Sequence, residues 1–89
     1  NMHISADHAV IILREAFHPF CCGASVESMF EDTVTFSVVT RSGEPVVSPK
    51  TLSTVDFGRH DSLEELIVQV RADISSYQGI RLDPWKMSV

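Results

Sequence analysis

The sequence has no apolar run longer than Ala9 to Leu13, far short of the roughly 20 residues a helix needs to span a bilayer. No contact with a membrane is therefore expected. It has no basic cluster either: Arg14, Arg41, Lys50, Arg59, Arg71, Arg81 and Lys86 stand singly against 12 Asp and Glu, for a formal charge of -5. A phosphate-gripping stripe cannot be built from that spacing, and nucleic acid is not an expected partner. The beginning of the chain lacks a basic segment followed by an apolar one and a cleavage site, so the expected compartment is the cytoplasm. Phosphate-binding glycine loops, serine elbows, paired histidines on a helix and the local signatures of cysteine hydrolases are all missing, and no enzymatic activity or cofactor is expected.

What is present is an ordinary globular balance, 44% hydrophobic and 21% charged in 89 residues. A chain of this size holds one modest core and buries about 60% of its unfolded surface. Residues 1–89 are expected to form a single domain, with 1–4 as an N-terminal extension and 81–89 as a C-terminal tail.

Hydrophobic periodicity gives the elements. Ser5 is suited to cap a helix running to about Phe17, with Asp7 complementing its positive end. Ala6, Val10, Leu13 and Phe17 fall on one stripe, widened by Ala9 and Ala16, and Pro19 ends the element. From about Phe20 to Phe30 the chain alternates, with Cys22, Ala24, Val26 and Phe30 on one face and Ser25 and Glu27 on the other. Glu31-Asp32 reads as the turn that follows. Thr33 to Val38 alternates cleanly and is rich in β-branched residues, which places Val34, Phe36 and Val38 inward.

Arg41-Ser42-Gly43-Glu44 is a hairpin turn in which Gly43 takes positive φ. It leads to a third strand near Val46 and Val47. Pro45 and Pro49 make that an edge strand or one broken at Ser48-Pro49, because proline gives no ladder hydrogen bond. Leu52, Thr54 and Val55 are expected to resume extended structure. Ser62-Leu63-Glu64-Glu65 has the form of a capping box opening the second helix. Its stripe of Leu63, Leu66, Ile67, Val70, Ile74 and Tyr77 is expected to face the core, and Gly79 sits where a left-handed stop belongs. The expected fold is α+β, in the order α-β-β-β-α, with a three-stranded antiparallel sheet and two helices packed on one face.

Double-stranded-RNA-binding domains share that order, but they carry lysines at the start of the last helix. Here that position reads Asp61-Ser62-Leu63-Glu64-Glu65, which repels phosphate.

One cluster resembles a chemical site: His18, Cys21 and Cys22 put an imidazole and two thiols close together. Zinc normally takes four ligands with pair spacings of about two to four residues. On a strand, adjacent cysteines project to opposite faces, so they neither share a metal nor form an unstrained disulfide with each other. Cys22 is expected to be a small core residue and Cys21 a reduced thiol near the surface. Ile11 and Val68 fall on the outer sides of their helices, and with an open third strand they are features of a domain that self-associates.

The segment Ile11-Ile12-Leu13-Arg14-Glu15-Ala16-Phe17-His18-Pro19, followed by Cys22, resembles the opening of a family of short uncharacterised bacterial proteins, mainly from pseudomonads, catalogued as a domain of unknown function. The likeness runs from about Ile4 to Ser76. Adjacent Cys21 and Cys22 and the longer stretch between Val47 and Asp61 depart from the family pattern. The resemblance implies the fold and transfers no activity or site. The expected function is a non-enzymatic accessory or regulatory domain that acts through contacts with a protein partner, homodimerisation included. The alternatives are a metal- or thiol-dependent sensor using His18, Cys21 and Cys22, or a module that binds a small molecule between sheet and helices.

Overall fold

In the computed structural model, which describes residues 3–28 and 32–87, the Ser5 hydroxyl accepts the His8 N–H at 3.2 Å and opens helix α1, Ala6–Glu15. Asp7 in the first turn and Arg14 in the last match the sign of the dipole at each end. The helix stops at Glu15, earlier than its apolar stripe implies, and Ala16 and Phe17 stay buried beyond it. Ala6, Ala9, Val10 and Leu13 are buried as expected. Ile12, off that stripe, is buried as well.

Three strands follow: β1 (Cys21–Ser28), β2 (Asp32–Val39) and β3 (Pro45–Leu52). They pair antiparallel in the order β1-β2-β3, which puts the cleanly alternating Thr33 to Val38 run at the centre. Val34, Phe36 and Val38 are buried, and their register partners in β1 are Val26, Ala24 and Cys22. Asp32, expected in a turn, pairs with Ser28 and begins β2, because the ladder runs further than the turn chemistry implies. Glu31 and Phe30 lie outside the described residues.

The turn into β3 forms on Gly43, whose φ of 92° is left-handed and open to glycine at no steric cost. Its N–H donates to the Thr40 carbonyl at 2.9 Å, and the Thr40 N–H donates to the Glu44 carbonyl at 2.8 Å. β3 is a bulged edge strand. Phe36 pairs with Lys50 and Val38 with Val47, so β3 spends an extra residue around Ser48-Pro49, and a second shift follows toward Pro45. Leu52 is its buried residue, while Val46 and Val47 are half-buried.

Thr54 and Val55 are not extended. Residues Thr54–Phe57 form a short helix, α2, because Ser53 and Asp56 make the capping chemistry one step earlier than anticipated: the Ser53 N–H donates to the Asp56 carboxylate at 3.0 Å. Helix α3 then runs His60–Gln78 with Arg59 at its cap. The capping box expected at Ser62 and Glu65 does not form there, since the first turn is already closed by the Leu63 N–H on the Arg59 carbonyl at 3.0 Å. Tertiary pairing sets the entry instead. His3 bridges to Arg59, and the Ile4 N–H donates to the Gly58 carbonyl at 2.8 Å. Gly58 is needed for close approach: a Cβ there would lie 2.5 Å from the Thr54 carbonyl oxygen. Ile4, expected in an extension, is 1% exposed and belongs to the core.

The fold is α+β, a three-stranded antiparallel sheet with helices, and the expected α-β-β-β-α order gains α2 before the last helix. Leu63, Ile67, Val70 and Ile74 of α3 join the buried faces of α1 and the sheet in one apolar cluster. Tyr77 does not, being 87% exposed. The helical projection places it on the stripe, but the core ends one turn earlier, at Ile74. Gly79 (φ 68°) then stops the helix as expected.

Beyond it the tail folds back. Leu82 is buried, and the Asp83 N–H donates to the His18 carbonyl at 3.0 Å. Arg71 fastens this strap: its guanidinium donates to the Ala16 and Asp83 carbonyls and lies 6.0 Å from the centre of the Trp85 ring. Burial lowers the Arg71 pKa, an effect opposed by the Asp83 carboxylate.

Ile67→Ala costs about 2–5 kcal/mol in denaturant unfolding, as expected of a fully buried aliphatic, whereas Tyr77→Ala stays within about 0.5 kcal/mol of the parent. Arg71→Ala frees the strap, read as a red shift in emission from Trp85, the single tryptophan, with far-ultraviolet circular dichroism unchanged.

Candidate functional site

Strand alternation decides the fate of the first candidate cluster. Cys21 is exposed and pairs with Val39, while Cys22 is half-buried, pairs with Val38 and packs against the core. Both thiols are free, and they project to opposite faces of β1, as adjacent strand residues must. Burial pushes the Cys22 thiol up from 9.0 to about 12, only partly opposed by the Arg14 guanidinium. At neutral pH the protonated thiol is the favoured form in the fold. His18 is exposed, and its carbonyl is engaged by the strap. His18, Cys21 and Cys22 do not converge on one point.

Among the described residues, the potential metal ligands that do converge are His60, Asp61 and Glu64, whose ligand atoms lie within 4.8 Å of one another. The His60 Nδ1 is 3.3 Å from Asp61 Oδ1. This cluster opens α3, where the positive end of the dipole favours carboxylates and disfavours a cation. Asp61 is fully exposed and the group is not enclosed. Helix-end electrostatics accounts for it.

A concavity lies elsewhere, between the first half of β3 and the last turns of α3. It holds about 730 Å³ and is lined by Pro45, Val46, Val47, Ser48, Asp73, Ile74, Ser76 and Tyr77. Three local facts create it. Proline and bulges take β3 out of regular pairing at this end, α3 continues past its last core residue, and Gly79 stops the helix at the mouth.

The chemistry of its walls is one-sided. Val46, Val47, Ile74 and the Tyr77 ring are apolar, and the lining contains no Lys, Arg or His. Asp73 takes a hydrogen bond from the Gln69 amide at 3.0 Å and, among the described residues, makes no ion pair. The negative end of the α3 dipole points here too, with no basic residue in the last turn to offset it. Sequence reading missed this groove because it placed Tyr77 in the core. The pair of prolines in β3 was the one available signal.

On the other side of the sheet the Arg14 guanidinium donates to the Ala24 carbonyl of β1 at 3.0 Å, and β3 carries two prolines, Pro45 and Pro49, that have no N–H to donate. Among the described residues no polar or charged side chain is buried.

The two thiols are separable by experiment. At pH 8 a water-soluble disulfide reagent titrates one thiol of the folded chain quickly, and Cys21→Ser abolishes that fast phase while leaving the slow one. The Cys22 shift also has a stability signature. Its pKa is raised in the fold, so the protonated form is favoured, and its contribution is complete below about pH 9 and is lost as pH rises toward about 12. Cys22→Ala is expected to flatten that part of the alkaline loss in urea unfolding relative to the parent.

Compared with known proteins, the chain matches no family model, no curated protein and no solved structure.

Proposed function

We propose that this chain is a non-enzymatic accessory or regulatory domain that acts by binding another protein, and that an extended segment of that partner lies in the β3–α3 groove. The observation that carries the reading is Tyr77: a large aromatic, 87% exposed, stands over a groove formed by Val46, Val47 and Ile74. Tyrosine anchors protein interfaces because it offers broad contact area with little side-chain entropy to lose.

The competing readings are weaker on the same geometry. A small-molecule site normally encloses most of its ligand, and this groove is open along its length. Among the described residues no polar or charged side chain is fully buried to serve a catalytic reading. A thiol or metal sensor built on His18, Cys21 and Cys22 would need side chains that β1 sends apart. Self-association by backbone pairing along β3 is disfavoured by its two prolines. Docking through side chains in the groove does not meet that obstacle.

A photoreactive phenylalanine derivative placed at Tyr77 in the native cell is expected to give one discrete adduct heavier than the 9.9 kDa chain. The same group at Val68, about 180° around the helix from Tyr77, gives none. An adduct of twice the chain mass would identify homodimerisation as the contact. No adduct at Tyr77, or the same adduct from both positions, refutes the reading.

A further inference from the structure

We infer that the partner segment the groove selects is cationic and apolar together, an extended stretch in which Arg or Lys stands next to aliphatic residues. This rests on the groove being a protein-docking surface, and adds the chemistry of the occupant. The argument is one of charge complementarity. The apolar floor of Val46, Val47 and Ile74 takes aliphatic side chains, and three features above it attract positive charge. Asp73 carries a carboxylate with no cation beside it among the described residues. The C-terminal end of α3 brings its partial negative charge to the same mouth. Its last turn holds no basic residue, the position where a cation would ordinarily sit.

The third feature is the Tyr77 ring, whose face is available to a guanidinium or ammonium group. Elsewhere in the chain an arginine makes such a contact, Arg71 over Trp85. The overall charge of -5 steers a basic segment toward the surface and repels an acidic one. A segment that lies along β3 does not need its backbone ladder, which the prolines and bulges deny. It needs alternate side chains, some reaching the apolar floor and others reaching Asp73 and the helix end.

The test titrates the full nitrogen-15-labelled chain with three end-blocked peptides, Ser-Leu-Arg-Val-Arg-Ser and its Gln and Glu counterparts. The arginine peptide is expected to shift the amides of Val46, Val47, Ser48, Asp73 and Tyr77 and to bind about fivefold or more tightly than the glutamine peptide. The glutamate peptide binds most weakly. Asp73→Asn keeps the hydrogen bond from Gln69, since its side-chain oxygen still accepts, and is expected to narrow the Arg-to-Gln preference to about twofold. High salt does the same by screening. Tyr77→Ala weakens all three.

Equal binding of the arginine and glutamine peptides at the groove, or a preference that Asp73→Asn leaves intact, overturns the cationic inference while the docking reading stands. Groove amides that no peptide moves overturn both.

Discussion

Phe36, at the middle of the central strand, meets Phe17, just past the end of α1, with ring centroids 5.9 Å apart and planes 6° from parallel. Parallel rings at that separation are offset rather than superposed, the arrangement their quadrupoles favour. Both residues are fully buried, and the contact fixes the helix to the sheet across the centre of the layer. Other elements take their places around it. β1 and β3 flank β2, α3 closes the remaining apolar surface with Leu63, Ile67, Val70 and Ile74, and Ile4 and Leu82 bring residues near both ends of the chain into the same cluster. A chain of this size has little surplus burial, and recruiting those outlying residues is how the core becomes large enough.

Because the buried side chains among the described residues are all apolar, the polar chemistry of the domain is pushed to its edges. Arg14 and Arg71 show two ways this is handled. Each donates its guanidinium to backbone carbonyls at the edge of the core, Ala24 in one case and Ala16 and Asp83 in the other. Arginine suits this task because its fork of donors reaches two acceptors at once. The carboxylates have no such anchoring role at the α3 C-terminus, and Asp73 is left with its charge facing the groove.

Most of the fold was legible because hydrophobic period is a local signal. The alternation of Val34, Phe36 and Val38 and the helical spacing of Leu63, Ile67, Val70 and Ile74 each specify a buried face without reference to the rest of the chain. What escaped was tertiary. Ser53-x-x-Asp56 and Ser62-x-x-Glu65 carry comparable capping chemistry, and only the docking of the His3–Ile4 segment against Gly58 and Arg59 decides that the first forms and the second does not. Tyr77 shares the angular position of core residues, yet β3 does not close against it and a groove lies between them, and how closely a strand meets a helix is absent from the helix's periodicity. The cysteine pair was readable for the opposite reason: alternation along β1 is enough to separate the two thiols.

The irregularity of β3 links the edge problem to the groove. A regular third strand would have offered a clean ladder to another copy of the chain, and its side chains would have closed on α3. Pro45 and Pro49 withhold two backbone donors, and together with the bulge between Lys50 and Val47 they make the strand irregular where Val46 and Val47 line the groove with Ser76 and Tyr77. Replacing either proline with a β-branched residue would therefore act on two properties together, restoring backbone donors at the edge and drawing the strand toward the helix. The irregularity that leaves the outer edge of the sheet short of backbone donors also borders the groove in which Asp73 stands among apolar side chains.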